Sequence, residues 1–301
     1  LVGIDPASLP SNDRDPLRCG RDRGRTVKPI TAWELLNRIH ALLGERPKDA
    51  MFEGRLNRTL YAPVTGMLVA NEPSVEAVRL AIRTGRNCIV CRDHPYYLFG
   101  EHWSRGVEDT LRADPVVAAK RKLIEDNQIL ILRLGALWDT ARPKWFSGAL
   151  ARALGWQVEP GPEDRWSRVT CTIPQQSLAA LSRSAAKTLN AGSVRVMGEP
   201  DWPIRRVAVV HGLAFPTLVF GTILKDPAVD AIVTGTTPEV DFNSIYIADA
   251  ITAGRRIGLV QVGYERSEEA GAVEVAAWLR EAFPATPVDL QPPLEDQAWL
   301  A

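Results

Sequence analysis

The chain has 301 residues, with 36 basic against 36 acidic side chains, 46% apolar and 24% charged. That length supports one large or two ordinary domains with proper cores, and the charge balance gives no global field that would draw nucleic acid or an anionic membrane surface. No apolar run reaches the roughly 20 residues of a membrane-spanning helix, and the nine tryptophans are scattered without the basic interleaving of a nucleic-acid platform. Neither nucleic acid nor membrane is therefore expected as a partner. The sequence opens at Leu1 with no methionine, which leaves a removed export signal open. The compartment is undecided, with the cytoplasm favoured over export.

Residues 1–30 carry five Arg between positions 14 and 25 among Pro and Gly, and read as a basic, solvated arm. Thr31 then opens a helix: Thr31 and Glu34 form a capping box, and Ala32, Leu35, Leu36, Ile39, Leu42 and Leu43 make one apolar stripe. Residues 63–70 read as a strand. Ser74 caps a helix stopped by Gly85, and strand 87–91 delivers Asp93 and His94 to its C-terminal end. Asp114-Pro115 is a strong helix start running to about Asp126, followed by a buried strand at 129–132 and a helix from about Trp145 to Leu154. The pattern restarts with a strand at 169–173 and a helix at 175–189. Further strands are expected at 206–210, 231–234, 258–262 and 288–290, with helices at 216–224, 242–253 and 267–283.

This alternation predicts an α/β protein of two similar lobes, each with a mostly parallel sheet flanked by helices, and a cleft between them. The expected division is a basic arm at 1–30, a first lobe at 31–165, a second lobe at 166–291 and a surface tail at 292–301. Cys88 and Cys91 have CxxC spacing but fall on a strand, where positions three apart face opposite ways, so two core cysteines are expected rather than a shared metal or disulfide.

In such a protein, ligands bind where the C-terminal ends of strands converge. Three distant stretches bring acids or histidine to those ends: Asp93-His94, Asp139, and Glu268. Together they offer donors for a hard divalent cation. His211, before Gly212, is either a cleft residue or a core histidine bonded to backbone. Glu239 follows a strand and either faces the cleft or is a helix-start acid. Glu101 and His102 lie just past the first stretch, as compensating ligands or a solvated loop. No G-x-G-x-x-G, Walker loop or G-x-S-x-G is present.

Ser74–Tyr97 (SVEAVRLAIRTGRNCIVCRDHPYY) resembles a segment of the Nif-three-like family of dinuclear metal-centre proteins, also labelled GTP cyclohydrolase type-2-like. The stretches 114–156, 207–214, 230–239, 246–254 and 263–268 follow the same family, in the branch with His-Glu-Pro for His-His-Pro. The resemblance implies two similar lobes, homo-oligomeric rings and a two-metal site fed by a His-His pair, a HxxxD motif and a HxxxE motif. Here the pair falls on Asp93 and His94, the second motif on Gly135 and Asp139, and the third on Tyr264 and Glu268, so three of the four family histidines are absent.

Four candidate metal ligands remain, Asp93, His94, Asp139 and Glu268, too few for two ions with full shells. One divalent ion (Zn, Mn, Fe or Mg) completed by water is the expectation, with an empty, degenerate site as the alternative. Three functional readings follow. The first is a metal-dependent hydrolase of a small molecule, in which the ion activates water and Glu101 or Glu239 moves protons. The second is a non-catalytic relative that binds a ligand or serves as an oligomeric scaffold. A third is an anion-binding protein using helix N-termini such as that at Ser267.

Overall fold

The computed structural model describes residues 29–44, 54–55, 57–58, 60–98, 106–161, 167–214, 217–238 and 242–292. The basic arm up to residue 28, Glu101, His102, Glu239 and the tail beyond residue 292 lie outside the described residues.

The chain opens with β1 (Ile30–Thr31) and α1 (Ala32–Leu43). The capping box is formed: Thr31 Oγ1 accepts from the Glu34 amide, and the Glu34 carboxylate accepts from the Thr31 amide. Then come β2 (Gly54–Arg55), β3 (Pro63–Val64), β4 (Met67–Ala70), α2 (Val75–Arg83) and β5 (Cys88–Cys91). The strand expected over 63–70 is thus two strands. β3 pairs with β1 in a small antiparallel ribbon, while β4 enters the main sheet. After α3 (Glu108–Ala113), α4 (Pro115–Asp126) starts where Asp114 accepts from the Val116 and Val117 amides. β6 (Leu130–Arg133), α5 (Gly135–Ala141) and α6 (Trp145–Ala153) complete this half.

The second half holds β7 (Val169–Ser177), α7 (Leu178–Thr188), β8 (Arg195–Met197), β9 (Pro203–Leu213) and a π-helical segment at Thr217–Ile223. It continues with β10 (Ala231–Thr236), α8 (Phe242–Thr252), β11 (Gly258–Gln261), α9 (Tyr264–Ala282) and β12 (Val288–Leu290).

Two five-stranded sheets result, ordered β12-β4-β5-β6-β2 and β7-β9-β10-β11-β8. Strands β12, β4, β5 and β6 run parallel, with β12 at one edge, as do the inner strands β9, β10 and β11, while β2, β7 and β8 are antiparallel edges. Parallel strands buried on both faces need continuous apolar runs, which Met67–Ala70, Cys88–Cys91 and Leu130–Leu132 supply. Cys88 packs into the core on one face of the first sheet and Cys91 into the core on the other. The expected opposition of the two cysteines is therefore what the strand delivers.

Within residues 166–291, the C-terminal end turns back to the first sheet. β12 pairs with β4, not with β11, and Ala272, Val275, Ala276 and Leu279 of α9 bury in the core of the first sheet. The apolar face of α9 reads the same whichever sheet it covers, so periodicity could not assign it. Its consequence is functional: a helix rooted in the first sheet starts at the end of a strand of the second.

Candidate active-site cleft

The cleft lies where the C-terminal ends of the parallel strands of both sheets face each other. Its volume is about 850 Å³. Segments after β4, β5 and β6 form one wall, and the ends of β9 and β10 with the first turns of α9 form the other. Asp93, His94, Asp139 and Glu268, the four residues singled out from sequence, all line it. Asp139 is carried within a helix rather than on a strand-end loop, and Glu268 lies in the helix expected there, which starts three residues earlier. α5, an element with no counterpart among the predicted helices, presents Gly135 and Asp139 four residues apart on one face, and α9 does the same for Tyr264 and Glu268.

The centre of the cleft is Arg92, one residue before the predicted pair. Its guanidinium donates to both oxygens of Asp139, Nη1 to Oδ1 at 3.1 Å and Nη2 to Oδ2 at 2.6 Å. Its Nε lies 3.3 Å from Glu268 Oε1, and its Cζ sits 4.7 Å over the Phe146 ring. A paired, forked contact of this kind is the strongest geometry available to an arginine and a carboxylate. Burial opposes the charge on Arg92, but Asp139, Glu268 and Tyr264 outweigh it and hold its pKa above the ordinary value. Burial likewise works to raise Asp139, and Arg92 and His211 overcome it, leaving that carboxyl below its usual range.

Glu268 is fully buried. Its Oε1 also lies 2.8 Å from His211 Nδ1, while His211 Nε2 is 3.8 Å from Asp139 Oδ1. His211 is therefore held between two carboxylates, with Phe146 beside its ring and its own amide donating to Ser147 Oγ. A β-bulge aims it: β9 advances from Val210 to Leu213 while β10 advances only from Thr234 to Thr236. Gly212 supplies the positive φ of 60° that this needs. A Cβ there would fall 2.2 Å from Glu268 Oε1. Ser267 locks the bulge, accepting from the Gly212 amide and donating to the Tyr264 carbonyl.

On the other side, Tyr264 donates its hydroxyl to Asp93 Oδ2 at 2.8 Å. Burial, then Glu268 and Asp93, push its phenol well above the ordinary value, so it is a proton donor and not a phenolate. Burial also raises Asp93, with Tyr264 and Arg92 pulling the other way. His94 Nδ1 accepts from the Tyr96 amide at 3.1 Å, which places the proton of the neutral ring on Nε2. Burial, then Arg133, Lys120 and Arg121, lower its pKa to about 4, so it stays neutral at physiological pH. Lys120 is buried too, bonded to the Pro95 carbonyl and lying over the Tyr97 ring.

These residues do not fit the two-metal centre that the family resemblance implies. A metal-bound imidazole offers a lone pair on one nitrogen and donates from the other; His94 has the reverse arrangement at Nδ1. Both oxygens of Asp139 and one of Glu268 are already committed to a fixed cation. A divalent ion about 4 Å from that guanidinium would meet a repulsion of roughly 8 kcal/mol at an effective dielectric constant of about 20. Among the described residues no group of three or more His, Cys, Asp or Glu is arranged to hold a metal ion.

Sequence reasoning missed Arg92, Phe146 and Ser147. The signal for Arg92 lies in the sequence: an arginine adjoins the first motif while the second motif has Gly135 in place of its histidine.

Two α/β sheets joined by a shared helix, with a cleft bearing charged side chains at their facing strand ends, define the class of protein. The chain belongs to the Duf34/NIF3 (NGG1p interacting factor 3) family, whose model matches residues 57–291. Among solved structures, a hypothetical protein from Staphylococcus aureus, SA1388, superposes with a TM-score of 0.69 at 18% identity, covering 91% of this chain and 100% of that one. A Bacillus cereus protein related to NIF3 gives 0.68 at 14% identity, covering 91% and 100%. Reduced HcgD from Methanocaldococcus jannaschii gives 0.61 at 16% identity, covering 87% and 97%. At such identities these structures share the fold with this chain. A search among curated proteins finds no match.

Proposed function

We propose that this protein binds a small polar molecule in the cleft between its two sheets, as a family member that holds a ligand rather than hydrolysing it through metal-activated water. One observation carries the reading. The cleft, about 850 Å³ and within the range of small-ligand sites, has charged side chains on its walls that pair with one another, Glu268 Oε2 excepted. Asp139 and Glu268 are bound to Arg92 and His211, and Asp93 to Tyr264. Lys120 brings an N–H donor to the lining and Asp93 and Glu268 bring carboxylates, so a ligand with both donor and acceptor groups would be oriented. No helix among the described residues is long and apolar enough to cross a membrane.

A metal-dependent hydrolase is the second reading, and one observation favours it. Glu268 Oε2 is buried with no hydrogen-bond partner, which a cation would satisfy as well as a ligand N–H. Thermal melts against nucleosides, nucleotides and cyclic amides, with and without Mn²⁺, separate the two. A stabilising compound that acts without metal, and is lost in both Lys120→Ala and Glu268→Gln, supports the binding protein. A shift that requires Mn²⁺ supports the hydrolase, and a shift unchanged in both variants places binding outside the cleft.

A further inference from the structure

We infer that the guanidinium of Arg92 is the resident cation of this cleft, standing where the sequence motifs call for a metal, and that Gly135 is the residue that lets it in. The two positions are coupled sterically. A Cβ at Gly135 would lie 2.7 Å from the Arg92 carbonyl oxygen and 3.0 Å from Arg92 Cγ. Any side chain at 135, a histidine included, would have to displace the Arg92 backbone and the root of its side chain. With glycine there, the arginine lies inward and flat on Phe146, and reaches two carboxylates from different elements, Asp139 on α5 and Glu268 on α9. The loss of a histidine and the presence of an arginine are thus one structural event.

The remaining positions are consistent with the same exchange. Tyr264, where the third motif has its histidine, spends its hydroxyl on Asp93, which neutral phenol does as a donor and a metal ligand would not. His94 has its Nδ1 lone pair engaged by a backbone amide. Arg92 is 14% exposed and Glu268 is fully buried, so the guanidinium is a structural counter-ion and not a rim charge. Removing it would leave the buried Glu268 carboxylate facing the partly exposed Asp139 carboxylate across His211, the arrangement that a divalent cation relieves.

The test is Mn²⁺ titration of the full chain, read by the electron paramagnetic resonance of free Mn²⁺ and by thermal melting, for the natural protein and for Arg92→Ala. The natural protein should leave micromolar Mn²⁺ free and melt at the same temperature with or without it. Arg92→Ala should melt several degrees lower, regain part of that loss in Mn²⁺, and take up about one ion per chain in a manner abolished by adding Asp139→Asn. Stoichiometric uptake by the natural protein, lost in Asp139→Asn, would overturn the inference. So would a folded Arg92→Ala that melts as the natural protein does, or whose melting ignores Mn²⁺. If Arg92→Ala does not fold alone, its recovery as folded protein when expressed and purified with Mn²⁺ supports the inference, and failure to recover it with the metal counts against it.

Discussion

Glu265 and His94, both beside the cleft, bend the pH dependence of stability in opposite directions. Burial, then Glu72, raises Glu265 from 4.5 to about 7, with Asn71 pulling down. The folded state therefore keeps a proton that the unfolded chain has lost, and this contribution makes stability fall as pH rises from about 4.5 to about 7. His94 runs from 6.5 down to about 4, so the unfolded chain holds the extra proton and stability rises across that window. Urea midpoints measured from pH 4.5 to 6.5 should rise more steeply in Glu265→Gln than in the natural protein, and less steeply in His94→Asn. Parallel curves for all three would contradict these assignments. Gly135→Ala tests the coupling of position 135 to Arg92 at the same scale. Its Cβ meets a backbone oxygen rather than the end of a flexible side chain, so a loss of about 1–3 kcal/mol is expected from overpacking. An unchanged urea midpoint would show that the backbone of Arg92 yields freely.

Among the elements, the bulge in β9 decides what His211 does. Gly212→Ala would force an L side chain into a positive φ and against the Glu268 carboxylate. We expect a loss of about 1–3 kcal/mol from backbone strain, together with a changed His211 imidazole NMR spectrum as its 2.8 Å contact with Glu268 breaks. A spectrum and midpoint identical to the natural protein would mean the bulge is not what positions the ring. Much at this scale was legible in sequence. The caps at Thr31, Ser74 and Asp114 were readable because one side chain and one nearby amide suffice to stop or start a helix. α5 was not readable: it spans seven residues, starts at Gly135 and has no side-chain cap at its N-terminus. The start of α9 was placed three residues late because Gly263 gives no side-chain cap either. The bulge left no trace beyond the His211-Gly212 pair, since a register shift depends on the partner strand.

Over the whole molecule, α9 and β12 join the two sheets. Gly271 lets α9 approach Phe146 so closely that a Cβ would fall 2.0 Å from the ring, and Leu279 is buried in the core of the first sheet. Leu279→Ala should cost about 2–5 kcal/mol and lower amide-exchange protection at Leu68 and Val69 of β4. Loss of protection confined to β9–β11 would contradict the assignment of α9 to the first core. The sequence pattern named the residues that meet in the cleft, because each lies just beyond the C-terminal end of a parallel strand or in the helix that follows it. It could not show that a neighbouring arginine would be drawn between two of them, since that depends on the spacing of α5 and α9 across the cleft. Anomalous diffraction from a crystal of the natural protein soaked in Mn²⁺ tests this directly. We predict no anomalous peak between Asp139 and Glu268, with the Arg92 guanidinium in density there. A peak bound by both carboxylates, with Arg92 turned aside, would contradict it.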